Sequence, residues 1–224
     1  MKKTLLTICL VWMCFSLSAQ KIIDLSGKWS FSIDRQDNGE KEKWFSHTLN
    51  DFINLPGSMP EKLKGDEVTA KTQWTGSLYD SSYYYNPYME KYRKEGNIKF
   101  PFFLTPDKHY VGAAWYQKEV NIPADWKGER ILLFLERPHI ETTVWVNGQK
   151  TGMQNSLCVP HQYDITRYVR PGKCTITIRV DNRIKEINVG PDSHSITDQT
   201  QGNWNGIVGR ICLQTTPKTY FDDI

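Results

Sequence analysis

Bond-breaking chemistry calls for a pair of carboxylates, an activated nucleophile or a well-placed histidine. The sequence arranges none of these for work. Two acids cooperating on strands need positions i and i+2 or i and i+4, or places opposite each other on neighbouring strands. Glu119 has Gln117 and Trp115 as its same-face neighbours, and Glu136 and Glu141 fall in no alternating acid pattern. All three read as solvated edge charge. No Gly-x-Ser-x-Gly elbow, His-Glu-x-x-His pair or Gly-rich phosphate loop occurs. His47, His109, His139, His161 and His194 are scattered and read as structural or surface residues. No catalytic residue is assigned. Binding chemistry is better supplied, in two long segments that mix rings with carboxylates and amides. One runs from Gln73 to about Pro106 and holds Trp74, Tyr79, Tyr83-Tyr84-Tyr85, Tyr88, Tyr92 and Phe100-Pro101-Phe102-Phe103. The other runs from Asp181 to Trp204 and holds Pro191, Asp192, His194, Asp198, Gln199 and Asn203. Such a mixture suits flat polar ligands. Segments this long are functional or covered by a neighbour.

The elements that must hold these segments are strands. Trp29, Phe31 and Ile33 alternate with Lys28, Ser30 and Ser32, and Ile176, Ile178 and Val180 alternate with Thr175, Thr177 and Arg179. Val144 and Val146 flank Trp145, and their run ends in Asn147-Gly148, a strong hairpin signal because both residues tolerate positive φ. Gly152 is placed just beyond the return strand. Ile131 to Leu135 is apolar on both faces, which fits either a strand whose outer face meets another domain or one covered by this domain's own loops. Pro and Gly punctuate the chain too often for long helices. The expected architecture is an all-β antiparallel sandwich with two long loops.

Composition agrees with that expectation. Of 224 residues, 39% are hydrophobic, 24% charged and 12% aromatic. These values exclude a disordered or collagen-like chain. Lys2 and Lys3 precede an apolar run from Leu5 to Leu17 and then Ser18-Ala19-Gln20, the pattern of a secretory leader over 1–19. A secreted or periplasmic protein is expected. Loss of the two leader lysines takes the formal net charge of +3 close to neutrality, so the charge balance does not suggest nucleic acid. No later stretch is long and apolar enough for a membrane span. Cys158, Cys174 and Cys212 remain after the leader, an odd number with no Cys-x-x-Cys pair, and read as buried or unpaired thiols.

From Leu25 onward the order of motifs resembles the amino-terminal sugar-binding β-sandwich of glycoside hydrolase family 2, the β-galactosidase, β-glucuronidase and β-mannosidase group. The likeness rests on Leu25-Ser26-Gly27-Lys28-Trp29-Ser30-Phe31, Leu55-Pro56-Gly57-Ser58, and Trp115-Tyr116-Gln117-Lys118-Glu119-Val120. It continues through Ile122-Pro123, Trp126, Gly128, Leu132–Glu136, Val144-Trp145-Val146-Asn147-Gly148, Pro160 and Tyr163-Asp164-Ile165-Thr166. Gly172, the run Ile176–Asn182, and Gly206-Ile207-Val208 before Arg210 complete it. It covers about residues 24–214, and it implies a jelly-roll sandwich like the galactose-binding domains, spanning 20–216. Residues 217–224 then begin a linker or a further domain.

In that family the acid/base and the nucleophile are two Glu residues on a later (β/α)8 barrel, about 5–5.5 Å apart in retaining enzymes. The resemblance stops short of the barrel and of the intervening immunoglobulin-like domain. It implies the accessory domain of a secreted retaining exo-β-glycosidase. Its partners would be those missing domains and a terminal β-linked sugar. Tyr79-Asp80 with Asn86 resembles a β-galactosidase arrangement in which the Asn reaches the sugar. That implies a substrate contact at Asn86 and tilts the specificity toward β-galactosides. Read from its neighbours alone, Asn86 is a turn residue before Pro87. Asp198-Gln199 ahead of Trp204 resembles a segment whose Asp binds a sugar hydroxyl and a monovalent cation, although the spacer is longer here. A carboxylate with loop carbonyls is a reasonable cradle for a hard cation. No other cofactor is implied. Asn203, Trp204 and Asn205 could form a stacking and hydrogen-bonding platform, and Trp204 equally suits a core. Tyr83–Tyr85 either stack on sugar or pack against the barrel. Two other functions stay open: a free-standing carbohydrate-binding module without hydrolase activity, and a protein-interaction sandwich.

Overall fold

The computed structural model describes residues 20–69, 71–76, 82–99, 105–185, 193, 197–198, 202–217 and 219. The leader at 1–19, Tyr79-Asp80, Phe100–Phe103, Pro191, Asp192, His194 and Gln199 lie outside the described residues. Period-two alternation becomes strands throughout. In chain order the first seven are β1 (Ile22–Asp24), β2 (Gly27–Asp34), β3 (Asp51–Leu55), β4 (Gly57–Ser58), β5 (Asp66–Glu67), β6 (Lys108–His109) and β7 (Ala113–Ile122). Then come β8 (Arg130–His139), β9 (Glu141–Val146), β10 (Gln149–Asn155), β11 (His161–Asp164), β12 (Gly172–Asp181) and β13 (Gly206–Thr216). Among the described residues helix is confined to α1 (Ser82–Tyr85) and to short 3-10 turns such as Pro87–Tyr92.

Two antiparallel sheets form the sandwich. One has the order β10-β9-β12-β7-β2-β3, and the other β1-β13-β8-β11 with β4 also on β13. From β7 to β9 and from β11 to β13, successive strands alternate between the sheets, as a jelly roll requires. A separate ribbon pairs β5 with β6. The inward-facing apolar residues of the two sheets meet in one main core. Trp29, Phe31, Tyr116, Leu133, Leu135, Val144, Val146, Ile176, Ile178, Val180, Ile211 and Leu213 all belong to it. Each such side chain contributes about 1.5–3 kcal/mol by leaving water. The polar ends of the core rings are partnered: Trp29 Nε1 donates to the Leu25 carbonyl at 2.8 Å, and the Tyr116 hydroxyl donates to Asn205 Oδ1 at 2.7 Å.

The outer faces are covered as well. On the larger sheet Trp115 and Trp145 pack with Leu49, Trp44 and Phe45, so the segment after β2 folds back as a second small core. Phe45 and Trp145 stack with centroids 5.2 Å apart. On the smaller sheet Leu132 and Phe134 are buried within the chain itself, Phe134 beneath the Arg210 guanidinium at 4.7 Å. Covering by the domain's own residues therefore accounts for the doubly apolar Ile131–Leu135 run. Gly152 is not beyond the return strand: β10 continues to Asn155, and a bulge between Lys150 and Gly152 absorbs the extra residue. Cys158, Cys174 and Cys212 are all unpaired, with Cys158 exposed. Burial pushes the Cys174 thiol up to about 11.

Glu141 corrects the expectation of solvated charge. It is buried and faces Arg179 at 3.4 Å and Lys185 at 2.8 Å. Asp181, fully buried, takes Arg179 at 3.0 Å and Lys185 at 2.9 Å, together with Arg183. Asp37 reaches Arg179 at 2.6 Å. Alternation on β9 and β12 puts Glu141, Arg179 and Asp181 on the same outer face, where they neutralise one another. Glu119 is exposed beside Lys173, as expected of edge charge.

Candidate functional site

Strand ends place the site. β12 ends at Asp181 opposite Ala113, where β7 begins, and β13 begins at Gly206 opposite His139, where β8 ends. The second long segment leaves from this end, and two buried amides fasten its roots. Asn182, just after β12, accepts from the Gly112 N–H at 2.8 Å and donates to the Tyr110 carbonyl at 2.8 Å. Asn205, just before β13, donates to the Gly112 and Val180 carbonyls, each at 2.9 Å. With the Tyr116 bond, this commits the Asn205 side chain internally, so it is no part of an exposed platform.

Asp198 lies above these clamps and is buried. Its carboxylate joins the two long segments. Oδ2 accepts the Thr75 N–H at 2.6 Å, and Oδ1 accepts the Asn203 N–H at 2.5 Å. The Asp198 N–H returns to the Thr75 carbonyl at 3.1 Å. Gly202, at φ +70, makes the turn that brings Asn203 back over the carboxylate. Asn203 donates from Nδ2 to Thr75 Oγ1 at 2.9 Å and to the Asn182 carbonyl at 3.0 Å. Its Oδ1 is buried and has no hydrogen-bond partner among the described residues. Asp198 and Asn203 thus come together as a knot.

Two histidines flank that knot, and neither stood out in the sequence. His109 Nε2 lies 3.4 Å from Asp198 Oδ2 without hydrogen-bond alignment, and its ring tilts against Trp74 at 4.7 Å. His139 stacks on Trp204 at 4.5 Å and bonds its carbonyl through Nδ1 at 2.7 Å. A carbonyl only accepts, so Nδ1 carries the proton. Burial holds His139 down to about 4, although the Trp204 carbonyl and the Asp198 charge pull the other way. Trp204 itself is half-buried, with one face on the histidine.

Asn86 stands apart from this knot. Its Oδ1 caps the 3-10 turn by accepting the Tyr88 N–H at 3.0 Å, which is the local role its place before Pro87 suggests. Among the described residues its segment packs toward the site through a small core of Tyr83, Ile98, Val68, Trp74, Met89 and Tyr92. Tyr83 is buried in that core, while Tyr84 and Tyr85 are exposed.

Among the described residues the arrangement offers polar groups for binding, and Asp198 has no second carboxylate paired with it. Among the described residues no group of three or more His, Cys, Asp or Glu side chains is placed to hold a metal ion. The residues that could hold a monovalent cation here are Asp198 and Asn203, whose Oδ1 has no hydrogen-bond partner among the described residues.

Known proteins share this framework. The chain is 24% identical over 229 residues to the β-glucuronidase of Pongo abelii, covering 90% of this chain and 30% of that protein. It is 27% identical over 164 residues to the β-glucuronidase of Paenibacillus borealis, covering 73% of this chain and 21% of that protein. Among solved structures, an uncultured Clostridium sp. β-glucuronidase aligns with a TM-score of 0.60 at 22% identity, covering 90% of this chain and 30% of that one. The Ruminococcus gnavus enzyme bound to a C6-substituted uronic isofagomine aligns at 0.58 and 17% identity, covering 89% of this chain and 30% of that one. The chain thus spans about 30% of the length of relatives that it matches almost throughout. Residues 22–217 match the sugar binding domain of the glycosyl hydrolases of family 2, and the chain belongs to that family.

Proposed function

We propose that this chain is the accessory sugar-binding sandwich of a larger, secreted, retaining exo-β-glycosidase, and that the substrate class is β-glucuronides. The observation that carries the reading is the family match over 22–217 in a chain about 30% as long as its relatives. The catalytic pair then resides in the part of the relatives that this chain does not span. The β-glucuronidase names of the relatives favour a glucuronide over the β-galactoside suggested by Asn86 and its neighbours. The sandwich braces the enzyme and lends polar contacts from one end. Asp198 and Trp204 serve the terminal sugar, Asn203 holds Asp198 in place, and Asn86 is the outlying contact.

The test uses the longer protein that contains this chain. It should hydrolyse p-nitrophenyl β-glucuronide faster than the β-galactoside. Asp198→Ala should then cost at least about tenfold in kcat/KM, a loss of ~1.4 kcal/mol in transition-state stabilisation. Preference for the galactoside would remove the substrate assignment. An unchanged kcat/KM in the variant would remove Asp198 from the site.

A further inference from the structure

We infer that Asn182 is a positioning residue: it locks the His109 side of the site to the Asn203–Asp198 side, so that the two move as one unit. Four bonds carry the inference. The side chain of Asn182 takes the Gly112 N–H on Oδ1 and gives Nδ2 to the Tyr110 carbonyl, both at 2.8 Å. Those bonds fix the stretch that follows His109. The carbonyl of the same residue takes Asn203 Nδ2 at 3.0 Å, and the Asn203 N–H binds Asp198 Oδ1 at 2.5 Å. One fully buried residue therefore holds both walls that face the Asp198 carboxylate. It is also held from behind, because Asp181 is anchored by Arg179 and Lys185 at 3.0 and 2.9 Å, and by Arg183.

Asn205 supplies the comparison. It is equally buried and bonds the Gly112 carbonyl, but its other side-chain bonds go to Val180 and Tyr116, within the sandwich. Removing either amide leaves buried backbone groups unpaired and destabilises the chain. Of the two amides, it is Asn182 that hydrogen-bonds to both walls among the described residues.

Amide hydrogen exchange by NMR on this 224-residue chain is the test. In the wild type, the amides of Gly112, Thr75 and Asn203 should open with one common free energy, below that of the central β12 amides. In Asn182→Ala the Thr75 and Asn203 amides, which the Asp198 carboxylate accepts, should exchange at least about tenfold faster relative to β12. Asn205→Ala should slow or speed them only in step with β12. Separate opening of Gly112 and Asn203 in the wild type would overturn the inference, and this reading survives even if the alanine variants do not fold. So would a uniform acceleration across the sandwich in Asn182→Ala.

A second arm rests on the proposed function. In the longer protein, Asn182→Ala should raise KM for the glucuronide several-fold more than it lowers kcat. Simple loss of folded protein would lower kcat at constant KM and refute the positioning role. A wild type inactive on glucuronides would defeat the functional proposal while leaving the exchange result to stand or fall by itself.

Discussion

His139 is a buried histidine that stays neutral because burial, the largest influence on it, disfavours the charged ring. Its pH dependence follows from the sign. In the unfolded chain the ring titrates near ~6.5, whereas in the fold it is held down to about 4. As pH falls through that window the unfolded state takes the proton first, so stability present above ~6.5 is lost on the way down, by roughly 2–3 kcal/mol near the bottom. His139→Asn keeps a donor near the Trp204 carbonyl but cannot titrate. Urea unfolding should therefore show the wild type well ahead of the variant at pH 7.5, and the gap should shrink by about 2 kcal/mol by pH 4.5. A gap that is constant with pH would mean that the ring does not report its burial. Legibility at this scale was uneven. Asp198 was singled out by its resemblance to a family segment, and Asn203 and Trp204 as an amide and an indole in the same long segment. His109, Asn182 and His139 were not, because each owes its place to a strand end meeting another across the sandwich, and no local spacing records that meeting.

Elements were read more easily than residues, since period-two burial is local and hydrophobic. β2, β9 and β12 follow from alternation, and the hairpin between β9 and β10 follows from Asn147-Gly148, at φ +50 and +76. What could not be read was depth. Glu141 looked like edge charge because nothing on β9 announces that Arg179 and Lys185 will arrive from elsewhere. Glycines separate the local from the non-local in a measurable way. A Cβ on Gly148 would meet nothing within 4 Å, so Gly148→Ala carries only the left-handed penalty, about 1–2 kcal/mol. A Cβ on Gly206, at φ +146, would lie 2.5 Å from the Gly57 carbonyl oxygen and 2.8 Å from Ser58 Cα. Both contacts are backbone, and no rotamer relieves them. Gly206→Ala should force β4 off β13 and cost about 3 kcal/mol or more, with Tm falling by roughly 6–12 °C against a smaller fall for Gly148→Ala. Equal effects in calorimetry would show that β4 yields freely and that the pairing is weak.

For the whole molecule, the decisive question is whether this sandwich could cleave a glycoside unaided. A retaining enzyme needs one carboxyl group that keeps its proton near neutral pH and a second, ionised one about 5–5.5 Å away. The ion-paired acids of this chain, buried Asp181 and Glu141 with exposed Asp37, are arranged against that need. Asp181 is held well below the usual carboxylate range by the hydrogen bonds of Arg183 and Lys185, which outweigh its burial. Asp37 is lowered by Arg179 and Arg183 in the same way. Glu141 shares Arg179 and Lys185 with them. Three carboxylates meet in one place, yet three cations keep the cluster neutral and leave no acid to protonate a leaving oxygen. Among the described residues Asp198 contacts no second carboxylate, its partners being backbone N–H donors and His109. The purified chain should therefore give no turnover of nitrophenyl β-glucuronide or β-galactoside above a mock preparation, at any pH from 4 to 8, while the longer protein turns over the glucuronide. Saturable hydrolysis by the chain alone, abolished by Asp198→Asn or Asp181→Asn, would mean that an ion-paired carboxylate can be released for catalysis, and the division of labour between sandwich and barrel would have to be abandoned.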